Sequence, residues 1–206
     1  MKANEPQIVP NHHANHPGFS GPSGVVAALS MLIGRSDDAR WAAELTRLQP
    51  DDVVIDVGCG PGVAARYAAR QGAHVLGVDP APVMLRVARR TTRRSLDVRF
   101  LEGVAEALPI ESDAASIVWA LATAHHWADI DRALDEMQRA LRPRGRVVVM
   151  ERRTRAGATG LASHGWTAEQ ADAFVERLRD RGFEGCHVER HDAGRRRLVG
   201  VVANVP

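Results

Sequence analysis

From residue 53 onward the apolar positions of the chain fall into a repeating two-part rhythm. The short run Val53-Val54-Ile55 reads as a buried strand, and His74 to Val78, Val98 to Leu101, Ser116 to Ala122 and Arg146 to Met150 read as further strands. Between them the apolar residues return at helical spacing. Residues 63–71 form one such segment, stopped by Gly72, and residues 82–93 another. A third covers 131–141, with Ile130, Leu134, Met137 and Leu141 on one stripe. Strands alternating with helices of about 10–15 residues predict a parallel sheet with right-handed crossovers, an α/β fold.

The two ends are patterned differently. Val25 to Ile33 predicts a short helix, and Ser36 with Asp37 and Asp38 starts a second that carries Trp41, Leu45 and Leu48 at helical spacing. Toward the other end, Thr167 and Gln170 form a capping-box pattern ahead of Phe174, Val175 and Leu178, and Gly182 ends that helix. Cys186 to His191 and Arg197 to Val202, joined through Asp192-Ala193-Gly194, predict a β-hairpin. The expected sheet therefore has seven strands, mostly parallel, doubly wound in the Rossmann-like manner and closed by an antiparallel C-terminal hairpin. Residues 1–24, with four prolines and three histidines, are expected as a loose tail. One domain would cover 25–206, with 25–48 as a helical lid.

Composition narrows the chemistry. The chain has 206 residues and a net charge of +2, too mild to imply a nucleic-acid partner without a clustered patch. Arg86, Arg89, Arg90, Arg93 and Arg94, and Arg195 to Arg197, read as solvated faces because no aromatic platform interleaves with them. Lys2 is the only lysine and Tyr67 the only tyrosine, which removes Schiff-base chemistry and a Tyr–Lys reductase pair. No apolar run approaches the ~20 residues a bilayer requires, so the expected location is cytoplasmic and no membrane span is expected. The cysteines Cys59 and Cys186 follow no metal-ligand spacing, and His12, His13 and His16 lack partner ligands, so no metal is assigned.

The most informative stretch is Asp56-Val57-Gly58-Cys59-Gly60-Pro61-Gly62, between the first strand and the first helix of the alternating region. In an open parallel sheet, ligands lie beyond the carboxyl ends of the strands at such a turn. Asp79 ends the second strand, near the ~20-residue offset at which a carboxylate accepts from ribose hydroxyls. An adenosine-type ligand is therefore expected. A dinucleotide fingerprint would need Gly or Ala at 63, where Val63 stands, and a triphosphate loop would need a following lysine.

The segments Val54 to Gly62, Gly77-Val78-Asp79, Gly103-Val104-Ala105-Glu106-Ala107-Leu108-Pro109 and Leu141-Arg142-Pro143-Arg144-Gly145 resemble, in order and spacing, the class I S-adenosylmethionine-dependent methyltransferases. The similarity is greatest to the small-molecule branch called type 11 or ubiquinone/menaquinone-like, over about residues 45–151. The resemblance implies S-adenosylmethionine as cofactor and S-adenosylhomocysteine as product. It further implies that Gly58, Gly60 and Gly62 let the backbone approach the methionine moiety, Asp56 anchors its amino group, Asp79 holds the ribose, and Pro80 packs on the adenine. Val104 departs from the family, where an aspartate commonly binds the adenine amine, leaving Ala105, Glu106 and Leu-Pro packing to recognise that ring.

Methyl transfer is an in-line displacement at an activated carbon, so a base is needed only when the acceptor must lose a proton. Histidine is the economical choice. His125 and His126, after the fourth strand, are the candidate catalytic residues; Trp127, Trp41 and Phe19 are candidate pocket lining. The expected partner is a small, partly apolar acceptor, with the protein a monomer or homodimer. An rRNA or tRNA methyltransferase and a non-catalytic cofactor-binding protein are the rival readings.

Overall fold

The computed structural model describes residues 36–159, 164–193 and 196–206. The tail, the helix expected over 25–33 and Phe19 lie outside the described residues. Seven strands form one sheet: β1 Val53–Val57, β2 His74–Asp79, β3 Val98–Glu102, β4 Ala115–Leu121, β5 Leu141–Arg152, β6 Glu184–Ala193 and β7 Arg196–Asn204. Their order is β3-β2-β1-β4-β5-β7-β6. The pairs among β1 to β5 are parallel, and β7 runs antiparallel to both β5 and β6. The helices are α1 Ser36–Leu45, α2 Val63–Arg70, α3 Pro82–Thr91, α4 Ile130–Ala140 and α5 Ala168–Asp180.

The solid apolar runs arise because both sheet faces are covered. Successive residues of one strand go to opposite cores: Val54, Ile117, Val148 and Leu198 pack with Trp41 of α1, Ala65, Ala68 and Ala69 of α2, and Leu85 and Ala88 of α3. Ile55, Val118, Val149 and Val199 pack with Leu134 and Met137 of α4 and Phe174 and Leu178 of α5. The alanines on α2 matter here. They let a short helix lie close against the sheet directly after the glycine turn, which fixes where that turn sits.

Where α1 ends, Thr46 ties it to the sheet: its hydroxyl donates to the Ala42 carbonyl (2.7 Å) and accepts from Trp119 Nε1 on β4 (3.1 Å). Arg146 of β5 reinforces the joint by donating to the Thr46 carbonyl (2.7 Å) and to Asp52 (2.7 Å).

Most boundaries differ from the sequence reading by a residue or two, and β6 runs on through Asp192 and Ala193, which the sequence reading places in the hairpin turn; two of the differences have a clear local cause. Helix α3 stops at Thr91 rather than 93, because the hydroxyls of Thr91 and Thr92 donate to the carbonyls of Val87 (2.9 Å) and Ala88 (2.7 Å) and the backbone turns extended at Thr92. Strand β5 begins at Leu141, not Arg146: Leu141 pairs with Ala115, the register shifts, and Arg146 resumes opposite Ile117. Arg144, at φ 63°, takes the turn within that irregularity.

Candidate active site

The strand order reverses between β1 and β4, which opens a crevice at their carboxyl ends. The glycine turn lies there. Gly58, Gly60 and Gly62 all have positive φ, 68°, 52° and 75°, a region L side chains rarely enter. At Gly58 space is also closed, since a Cβ there would run into the side chain of Thr123 beyond β4. At Gly60 a Cβ would meet nothing within 4 Å.

The hydrogen bonds of this turn decide what it can hold. The N–H groups of Gly58 and Cys59 donate to the Val78 carbonyl (2.8 and 3.0 Å), Gly60 N–H to Asp79 Oδ2 (2.8 Å), and Gly62 N–H to the Cys59 carbonyl (2.9 Å). Pro61 has no N–H. A pyrophosphate cradle requires those amides for the ligand, and here the protein consumes them. Beneath the turn, Arg66 is buried and donates to the Pro61 carbonyl (2.7 Å) and Thr91 Oγ1 (2.9 Å), locking α2 and α3 to the loop.

Beside the turn is a cleft of about 360 Å³, space open to solvent included, lined by Asp38, Asp56, Gly58, Cys59, Pro61, Val63, Ala64 and Leu121. Two buried carboxylates face it, Asp56 from the end of β1 and Asp38 from α1. Carboxylates in such a cleft favour a cationic ligand and disfavour an anionic one. Burial first, and then the neighbouring Asp56 and Asp79, push the Cys59 thiol well above its ordinary value, so it is a neutral packing group rather than a nucleophile.

Asp79 joins the two halves of the crevice. Its Oδ2 accepts from Gly60 N–H and its Oδ1 from Ala81 N–H, each at 2.8 Å, which leaves further lone pairs on both oxygens. Burial raises its carboxyl above the ordinary 3.8, with the two backbone N–H groups opposing. The raised value means that the protonated form suits the fold: this contribution to stability is full below the unfolded pKa and is lost as pH rises through the folded one. Ligand hydroxyls need the ionised form. Affinity for an adenosine ligand is therefore expected to weaken, on calorimetric titration from neutral toward acid pH, before ordinary carboxylates protonate, and Asp79→Asn should abolish that dependence.

Beyond the ends of β2 and β3, Pro80 is exposed, and Val104, at 43%, is exposed in a tight turn bridged to Ala107. Ala105 is buried in the core with Leu108. Glu106 is committed elsewhere: its Oε1 accepts from the N–H groups of Ala128 (2.6 Å) and Asp129 (3.2 Å), holding the loop ahead of α4.

After β4 the chain makes a short 3-10 turn, Ala124–His126, set against the glycine turn through Thr123 and Gly58. His126 is exposed and its ring lies 4.0 Å from that of His125. His125 is mostly covered, and its Nδ1 lies 3.0 and 2.9 Å from the two oxygens of Glu151, whose side chain is fully buried at the end of β5. The same carboxylate accepts from His125 N–H (3.2 Å). His164 stands 5.3 Å from the His125 ring. Among the described residues no group of three or more His, Cys, Asp and Glu side chains is placed to hold a metal ion.

Trp127 and Trp41 are core residues rather than crevice lining. Trp127 is 7% exposed and packs toward Phe174, pinning the loop after β4 to α5. Trp41, equally buried, stacks on His191 (5.0 Å) and lies over Gly200, fastening α1 to the hairpin. The crevice side of α1 is Asp38, one helical turn earlier. Sequence reasoning missed Asp38, Thr123 and Glu151. Glu151 had a legible signal: an acidic residue ending the run Val147-Val148-Val149-Met150 stands at the ligand end of a parallel strand.

Fold and crevice together define an α/β domain of the Rossmann-like methyltransferase fold. Residues 55–149, just under half of the chain, match the family model described as methyltransferase domain. Demethylmenaquinone methyltransferase of Thermus thermophilus is 38% identical over 129 residues, 60% of this chain and 59% of that protein. Methyltransferase GfsG of Streptomyces halstedii is 38% identical over 102 residues, 48% of this chain and 37% of that protein. The chain thus spans about half the length of these curated relatives. Among solved structures, a SAM dependent methyltransferase from Aquifex aeolicus superposes with a TM-score of 0.72 at 16% identity, covering 88% of this chain and 98% of that one. The [4+2]-cyclase SpnF gives 0.71 at 24% identity over 83% and 80%; both show the shared fold. No helix among the described residues is long and apolar enough to cross a membrane.

Proposed function

We propose that the protein transfers a methyl group from S-adenosylmethionine to oxygen, nitrogen or carbon of a small, partly apolar acceptor. The observation that carries this reading is the pairing of a glycine turn whose own amides are consumed with a cleft faced by Asp38 and Asp56. That combination suits a ligand end bearing an ammonium and a sulfonium, and it does not suit a pyrophosphate. When bound, the cofactor supplies a methyl group made electrophilic by the adjacent sulfonium.

The residues present fit this group. Asp56, with Asp38 beside it, would hold the amino group; Gly58, Gly60 and Gly62 would let the main chain approach; Asp79 would take the ribose hydroxyls with its remaining lone pairs; Pro80 and exposed Val104 would flank the adenine. Ala105 would contribute through its backbone, while Glu106 would act by shaping the facing loop. His125 and His126 would stand on the acceptor side. The protein would be a cytoplasmic enzyme acting as a monomer or homodimer without nucleic acid.

Calorimetry with S-adenosylmethionine and S-adenosylhomocysteine, followed by mass spectrometry of methyl-labelled products from a panel of naphthols, catechols and amines, tests the reading. Micromolar binding of both compounds and label on at least one acceptor are expected. No binding at millimolar concentration would reject it, and tight, salt-dependent RNA binding would favour an RNA substrate instead.

A further inference from the structure

The buried pair Glu151 and His125 goes beyond the cofactor site. We infer that Glu151 is a positioning residue that holds His125 as a general base, so that the acceptor is one whose nucleophile carries a proton, a phenol or enol type hydroxyl. The inference rests on the methyltransferase reading above and narrows its acceptor class.

The geometry supports it in three ways. First, a carboxylate only accepts hydrogen bonds, so a ring nitrogen within 3.0 Å of both Glu151 oxygens is the one that carries the hydrogen. His125 then has its hydrogen on Nδ1 and a lone pair on Nε2, the form a general base requires. Second, Glu151 has its side chain completely buried at the ligand end of β5, a costly place for a carboxylate that serves only packing. It is held there by two donors of one residue, the ring and the backbone N–H of His125, which fixes the ring as well as its tautomer. Third, the turn that carries His125 is built onto the cofactor loop, since Thr123 fills the space at Gly58 that a side chain would occupy.

A tertiary amine or thioether acceptor needs no base, because its lone pair is already available. A hydroxyl does need one. As the new bond from the acceptor to the methyl carbon forms, the acceptor's proton passes to His125 Nε2, and the electron pair of the breaking S–C bond stays on sulfur. The resulting imidazolium is stabilised by Glu151 and afterwards returns its proton to solvent. His126 from the same turn and His164 from the segment after β5 are the other titratable rings facing His125.

The test has two readouts. Nitrogen-detected NMR of the histidine rings needs no acceptor: His125 is expected in the Nδ1–H tautomer in the native protein, and Glu151→Gln is expected to change that state. In turnover assays with 1-naphthol and catechol as proton-bearing probes and N,N-dimethylbenzylamine as the proton-free one, His125→Ala should lower kcat by about 100-fold or more on the former. Glu151→Gln should lower it by about 10-fold or more, with KM for S-adenosylmethionine unchanged and partial recovery in Glu151→Asp. The opposite tautomer, a tautomer insensitive to Glu151→Gln, or turnover of the amine alone would overturn the inference. Where no probe turns over, the tautomer decides. Loss of cofactor binding by the unaltered protein would reject the methyltransferase reading and is measured separately by calorimetry.

Discussion

Gly58→Val is expected to bind no S-adenosylmethionine at concentrations that saturate the native protein, a loss of at least about 100-fold, and to unfold on the order of 10 °C earlier. Two causes act together. The φ of 68° disfavours any L side chain by roughly 1–3 kcal/mol, and most of all a β-branched one. The new Cβ also collides with Thr123, so either the glycine turn or the histidine-bearing turn after β4 must move. Gly60→Ala separates the causes: its Cβ meets open space, so only strain, about 1 kcal/mol, should appear in a thermal melt. Adding Thr123→Gly to Gly58→Ala should recover part of the lost stability and binding. Equal melts for Gly58→Ala and Gly60→Ala would show that contact with Thr123 contributes nothing.

Trp119→Ala is expected to cost about 3–5 kcal/mol, the range for removing a fully buried large aromatic side chain. The lost hydrogen bond to Thr46 is the smaller part, about 1 kcal/mol, and the cavity opened between β4 and the helices above it is the larger. The two parts can be read apart. Thr46→Val should lose only the smaller amount, because it keeps the volume. Since Thr46 closes the end of α1, the helix that brings Asp38 to the cleft, both variants should also weaken cofactor binding. Chemical denaturation followed by circular dichroism checks the stabilities, and a loss below about 1 kcal/mol for Trp119→Ala would contradict the packing described.

The alternating region was legible because its inner strands β1, β4 and β5 carry solid apolar runs covered on both faces, while the edge strand β3 is legible from its short apolar run between turns and the helices from one apolar stripe each. The β5 start was not, since Leu141-Arg142-Pro143-Arg144-Gly145 reads as a linker, and only the register shift opposite Ala115 admits Leu141 to the sheet. The positions of the glycine turn and Asp79 at the crevice could be read from spacing, because both are set by local backbone geometry at one crossover. The surroundings of Trp41 and Trp127 could not: an aromatic residue on a flanking helix or after a strand end looks the same whether it faces a cleft or the core, and here Gly200 and Phe174 are what they pack on. Glu151 escaped because its meaning depends on His125, 26 residues away in the chain and adjacent only once β4 and β5 pair.

A crystal structure with S-adenosylhomocysteine bound tests the central claim most directly. The account predicts the ribose hydroxyls within hydrogen-bond distance of Asp79, the amino group at Asp56, and the homocysteine chain running along the turn from Gly58 to Gly62. A ligand bound elsewhere, or a crevice closed by side chains at saturating ligand, would contradict it.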